Sequence, residues 1–274
     1  MLKQAMASIL TPEETEQMYG AFDQIGNRII LRIPDSLLPR RKEIGEVLLE
    51  KVGTARSIFY QSSPVEGDYR IRRLELLAGE DSTETEYREH GCRFKVDIEK
   101  AFFSPRLSTE RLRIADLVND GDVVVNMFGG VGMFSIVAAK KKKCHVYSID
   151  INPYAVDLCS QNVALNKLQG TVESIEGDAS EVIEKRLAEV GDRVLMLLPE
   201  RSDEFLPSAV KSLKRHGILH YYCHVHSERK GDAPSVAREH FLSVMEGRAE
   251  VLGAKNVRPI GPRFYQAVVD ARLS

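Results

Sequence analysis

The rhythm of apolar and polar positions changes near residue 107. Ahead of it, short alternating runs at 28–34, 57–60, 74–77 and 94–98 predict strands, with turns at 79–81 and at His90 and Gly91. One helix is predicted over 41–52, where Ile44, Val47, Leu48 and Val52 recur at helical spacing. The pattern reads as a small α+β domain over 27–106, preceded by an N-terminal extension over 1–26.

From 107 to 274 strands and helices alternate. Val123–Val125 is purely β-branched, as expected of a strand buried on both faces of a parallel sheet. A helix from Phe134 to Lys143, a strand at 146–149 and a helix over 154–168 follow, then strands at 172–175, 194–198 and 218–222. This order predicts an α/β fold with a doubly wound sheet. The last two strands, 249–254 and 265–273, have no helix between them and predict an antiparallel hairpin at the sheet edge.

Charge nearly cancels over the 274 residues: 38 Lys+Arg against 40 Asp+Glu leave −2. A globally basic nucleic-acid coat is excluded, while local basic patches at Arg40–Lys42 and Arg70–Arg73 remain available to phosphates. No apolar run approaches the ~20 residues of a membrane span, and the first residues lack a secretory pattern. Cys92, Cys144, Cys159 and Cys223 lie far apart and read as free thiols, so a soluble cytoplasmic protein is expected. His220, His224 and His226 have no suitably spaced carboxylate or second cysteine, so no metal is expected.

Asn126–Gly132 directly follows the first strand of the second half and opens a helix. Gly129, Gly130 and Gly132 let backbone pass close under a ligand at the positive end of that helix. Asp150 ends the next strand, where its carboxylate can accept from the ribose hydroxyls of an adenosine-bearing ligand. Asp178 ends the third strand, within reach of an adenine amino group. The nicotinamide fingerprint G-x-G-x-x-G is absent, and the third acid and terminal hairpin favour an S-adenosylmethionine-dependent methyltransferase over a dinucleotide enzyme.

The block Phe103–Arg111 (Phe-Ser-Pro-Arg-Leu-Ser-Thr-Glu-Arg), followed by Asn126–Gly132, resembles the archaeal and eukaryotic tRNA (guanine-37 N1)-methyltransferases. Asp150–Pro153, Asn162–Asn166, Glu204–Leu206, His220–Tyr222 and Val257–Tyr265 occur in the family order, and related wyosine-pathway transferases are similar too. The resemblance implies a class I (Rossmann-like) methyltransferase domain behind a small domain that positions the anticodon stem-loop of tRNA. It implies S-adenosylmethionine as cofactor, held by Phe128, Gly130, Val131 and Gly132, by Asp150 and Ile151, by Asp178 and Ala179, and by Leu198 and Pro199. It implies catalysis by Glu110 as the base that takes the N1 proton and by Arg70 near guanine O6. Arg106 is expected to pair with Glu110 or with a phosphate, and Arg72 is expected on the same strand face as Arg70. A monomer that binds neither membrane nor metal is expected.

One departure stands out. Where the family has Asn-Leu-Pro after its fourth strand, this chain has Leu197-Leu198-Pro199, and Leu can neither donate nor accept a hydrogen bond. Two alternatives therefore stand beside guanine N1 methylation: methyl or aminocarboxypropyl transfer to the tricyclic wyosine precursor, and a catalytically impaired tRNA-binding homologue.

Overall fold

A computed structural model describes residues 2–64 and 67–274. The chain forms two compact units, Met1–Pro105 and Arg106–Ser274.

The first unit begins with helices α1 (Leu2–Met6) and α2 (Pro12–Gln17). Thr11 and Glu14 start α2 by a reciprocal cap, each side chain accepting from the other's backbone N–H. Strands β1 (Phe22–Ile25) and β2 (Arg28–Leu31), helix α3 (Arg41–Lys51) and strands β3 (Ser57–Gln61) and β4 (Leu74–Gly79) follow. The sheet order is β1-β2-β3-β4, with β2 and β3 parallel and the other pairs antiparallel. Leu2, Met6, Leu10 and Met18 pack in one apolar cluster with Ile29, Ile44, Ile58 and Leu77. The segment set apart from the sequence as an extension thus supplies core to this unit.

The unit ends in a hairpin of β5 (Glu84–Glu89) and β6 (Cys92–Asp97). The alternation does not announce β5, because Glu-Thr-Glu-Tyr-Arg-Glu is polar at nearly every position. Cross-strand charge holds it instead. Hydrogen bonds from Arg93 and Arg88 hold the Glu86 carboxyl down at about 2.

The second unit runs α4 (Ser108–Leu117), β7 (Val123–Asn126), α5 (Met133–Lys141), β8 (His145–Asp150), α6 (Pro153–Ala164) and β9 (Thr171–Glu176). It continues with α7 (Ala179–Val182), β10 (Gly191–Met196), α8 (Ser202–Ser212), β11 (Leu213–His226), α9 (Ala233–Met245), β12 (Ala249–Gly261) and β13 (Phe264–Leu273). The sheet order is β12-β13-β11-β10-β7-β8-β9. Five strands are parallel, and β13 lies antiparallel between β11 and β12. The expected terminal hairpin is present, with longer strands than the pattern indicates. β11 exceeds its predicted core run because β13 follows it from Ile218 to His226.

The order reverses between β7 and β10. Loops leaving the carboxyl ends of these strands part there and leave a crevice, the usual ligand position in an open α/β sheet. Among the described residues no helix is long and apolar enough to cross a membrane.

Candidate functional site

The loop after β7 is fixed from beneath by polar side chains. Asn126 Nδ2 donates to Ser135 Oγ (3.1 Å), which donates to Ser148 Oγ (2.9 Å), and all three residues are buried. Asn162 Nδ2 donates to the Val131 carbonyl (3.0 Å). Two glycines are obligatory in this geometry. A Cβ at Gly129 would stand 2.1 Å from Ser148 Oγ. Gly132 has φ +87° and its Cβ would meet Cys159 Sγ at 2.6 Å.

Asp150 ties the loop to the end of β8. Gly130 N–H donates to its Oδ2 (2.7 Å) and Asn152 N–H to its Oδ1 (2.9 Å), so each oxygen keeps a lone pair for a ligand hydroxyl. Burial pushes this carboxyl above its ordinary value, against the pull of the two N–H donors. Ile151 beside it stays 41% exposed, an apolar surface at the mouth of the crevice. Asp178 Oδ1 caps α7 by accepting from the N–H groups of Ser180 and Glu181, which leaves Oδ2 for a ligand amino group. Val131, Ala179 and Pro199 are buried. Phe128 meets Phe205 edge-to-face at 5.0 Å, and Leu198 packs against the same core. An acceptor pair for ribose, an acceptor for an amino group, an exposed aliphatic side chain and a glycine loop packed tightly onto β8 and α6 fit an adenosine-bearing ligand.

Glu110 lies buried in the first turn of α4. Arg113, one turn on, donates from Nε to both carboxylate oxygens (3.0 and 2.9 Å) and from Nη2 to Oε1 (2.6 Å). Tyr222 Oη donates to the same Oε1 (2.6 Å). The expected pairing with Arg106 is therefore corrected. Arg106 belongs to the 3-10 turn before α4 and is exposed, and Glu110 takes Arg113 instead. Burial first, and Glu110 second, raise the Tyr222 phenol well above its ordinary value, so Tyr222 is a donor at every working pH.

Arg70 is corrected in a different way. It stands in a turn with φ +51°, not on a strand, and its guanidinium lies 4.5 Å over the Phe102 ring. Arg72 directs Nη1 at Gln61 Oε1 (3.5 Å), so no strand face presents the two arginines together. The basic run Arg40–Lys42 is already engaged: Arg40 holds Glu14 and Glu43, and Arg41 holds Glu75. A cavity of about 670 Å³ beside Pro199 is lined by Asp203, Tyr221, Cys223, His224 and His240.

Arg113, Tyr222, His220 and Asp270 escaped the sequence reading as a group. The only local signals are the i, i+3 spacing of Glu110 and Arg113 and the charge of Asp270 inside the apolar run of β13.

Residues 85–241 match the TRM5/TYW2 methyltransferase domain, and residues 2–83 match the TYW2 N-terminal domain. The tRNA (guanine(37)-N(1))-methyltransferase Trm5b of Pyrococcus abyssi is 39% identical over 257 residues, 93% of this chain and 75% of that protein. The tRNA 4-demethylwyosine(37)-methyltransferase Taw21 of Saccharolobus solfataricus is 34% identical over 266 residues, 96% of this chain and 97% of that one. The complex structure of aTrm5 and tRNALeu matches with a TM-score of 0.85 at 35% identity, over 100% of this chain and 78% of that one. Pyrococcus horikoshii TYW2 in complex with MeSAdo matches with a TM-score of 0.78 at 26% identity, over 99% and 97%.

Proposed function

Since the chain belongs to the TRM5/TYW2 methyltransferase family, we propose that it transfers a methyl group from S-adenosylmethionine to N1 of guanine-37, next to the anticodon of tRNA. The observation that carries this reading is Glu110, a buried carboxylate held by Tyr222 and Arg113 at the start of the methyltransferase unit.

Guanine N1 carries a proton at neutral pH and is a poor nucleophile until it leaves. Glu110 accepts that proton through Oε2, the oxygen with the smaller share of donors, while Tyr222 and Arg113 fix the carboxylate's aim. Arg70 offers a planar donor fork to the negative charge that grows on O6, and its contact with Phe102 holds the fork. The target base leaves its stack to be reached. Asp150 and Asp178 hold the ribose and adenine of the cofactor, and the glycine loop lets backbone close under it. S-adenosylmethionine, when bound, supplies an electrophilic methyl on a sulfonium. Arg106, exposed at the head of α4, meets phosphate. The enzyme works as a monomer in the cytoplasm, where its four buried thiols stay reduced.

A second reading, methyl transfer to the tricyclic wyosine precursor at the same position, is favoured by Leu197 in place of an amide. The match of residues 2–83 to the TYW2 N-terminal domain favours it too. Labelled S-adenosylmethionine and an unmodified tRNA transcript with guanosine at position 37, followed by nucleoside mass spectrometry, decide between them. 1-Methylguanosine is the expected product. A mass gain only on tRNA carrying 4-demethylwyosine moves the assignment to the second reading, and no product on either leaves a tRNA-binding homologue.

Affinity for tRNA is expected to be salt-sensitive but moderate, because Arg40 and Arg41 are neutralised internally. With on the order of four phosphates contacted, raising salt from ~50 to ~200 mM weakens binding roughly 100-fold. Filter binding at four salt concentrations reads the slope, and a flat line rules out a phosphate-led interface.

A further inference from the structure

Glu110 is one end of a buried chain of charges that the proposed reaction does not by itself require. Arg113 donates not only to Glu110 but, through Nη1, to Asp270 Oδ2 (2.5 Å), with Nη2 at 3.4 Å from Oδ1. His220 Nδ1 lies 2.6 Å from Asp270 Oδ1, the two residues being direct partners across β11 and β13. His220 Nε2 faces Arg193 Nη1 at 3.5 Å, and Arg193 Nε donates to Asp122 Oδ2 (2.7 Å). His220 is fully buried, and the Arg113 and Asp270 side chains are only 15% and 14% exposed.

We propose that Asp270, braced by His220, is a positioning residue that sets the proton affinity and the aim of Glu110 through their shared Arg113. The inference rests on the reading that Glu110 takes the proton of the target base.

The charge count motivates it. Glu110 and Asp270 are two carboxylates on one guanidinium, while Arg193 and Asp122 cancel one another and His220 is neutral. An arginine facing Nε2 makes that nitrogen the acceptor, so the imidazole proton sits on Nδ1 and is donated to Asp270. Burial, the largest influence, also pushes His220 below its ordinary value and so toward this neutral form. The cluster therefore carries one surplus negative charge, and uptake of one proton neutralises it.

In the proposed transfer that proton comes from the target base, and the geometry leaves Glu110 Oε2 to receive it. Burial pushes the Asp270 carboxyl up, but the hydrogen bonds from His220 and Arg113 outweigh it and hold it below its ordinary value. Tyr222 stays a phenol. On Glu110, Oε1 already accepts from Tyr222 and from two nitrogens of Arg113, whereas Oε2 accepts from Nε alone. When the proton arrives on Oε2, Arg113 keeps Asp270 as its counter-ion and no buried cation is orphaned. Without Asp270, Arg113 would belong wholly to Glu110 and hold it as a weaker base.

The test is the pH dependence of single-turnover transfer to the guanosine-37 transcript, from about pH 5 to 8.5, with calorimetry of S-adenosylmethionine binding on each protein. Asp270→Asn is expected to lower the plateau by roughly 10- to 100-fold and to move the acid limb down by about one pH unit, because a nearby carboxylate is removed. Asp270→Glu restores part of both. His220→Leu, which takes the donor from Asp270 and draws Arg113 toward it, moves the limb the other way. That reversal keeps the inference testable should Asp270→Asn not fold. A uniform loss of rate with the limb unmoved in both variants overturns it and makes Asp270 a structural residue. If the wild-type chain binds cofactor yet leaves the transcript unmodified, the functional reading falls and takes this role with it. Wild-type transfer with an unchanged Asp270→Asn profile overturns the inference alone.

Discussion

Glu110→Gln is expected to slow methyl transfer by about 10²- to 10⁴-fold, the usual weight of a positioned acid–base group, while leaving S-adenosylmethionine affinity within about twofold. Gln keeps the shape of the side chain and an oxygen for Tyr222, and Asp270 still holds Arg113, so α4 stays in place. It lacks the anionic lone pair to which the proposed mechanism gives the N1 proton. Single-turnover kinetics and calorimetry on the same preparation separate the outcomes. An unchanged rate removes Glu110 from the proton step, and parallel loss of rate and cofactor affinity makes it a structural residue.

Asp150→Asn carries the other large effect. The variant is expected to bind S-adenosylmethionine at least ~100-fold more weakly, equivalent to roughly 2.7 kcal/mol. Two charge-assisted hydrogen bonds to ribose, each of order 1.5–3 kcal/mol, lose their charge. In addition, an amide nitrogen must face either the Gly130 or the Asn152 N–H, a donor against a donor.

Stability should move less, and the sign follows from the raised carboxyl. A carboxyl raised in the fold contributes stability below its unfolded value of about 3.9, and that contribution is lost as pH rises through the folded value. At neutral pH the ionised Asp150 is therefore a cost to the free protein, and relief of that cost opposes the donor–donor clash of the amide, so the unliganded melting temperature should change little. Thermal unfolding with and without cofactor reads both. Ligand-induced stabilisation of wild-type size in Asp150→Asn would show that the ribose is held elsewhere.

The contrast between these residues shows where the sequence was legible. Asp150, Asp178 and the glycines are fixed by local order: a β-branched strand, a glycine turn, a helix, then an acid at the end of the next strand. Glu110 is found through its block. The strand face expected for Arg70 and Arg72 and the pairing of Arg106 with Glu110 fail because strand alternation and helical spacing do not extend into a turn and a 3-10 segment, where neither period holds. Strand β5 was missed because charge pairing across a hairpin leaves no apolar period.

The sequence by itself determined the doubly wound order, the glycine loop with its strand-end acids and the candidate base Glu110, since each depends on neighbours within about 20 residues or on a contiguous block. Only the tertiary structure decided what surrounds that base. Tyr222 lies 112 positions from Glu110, and Asp270 lies 157 from Arg113. These partners meet because β13 runs antiparallel beside β11 in a register that sets Asp270 opposite His220. A slip of one residue would turn each of these side chains to the other face of the sheet. Register across distant strands is fixed by the packing of the whole core, and no local pattern of residues records it.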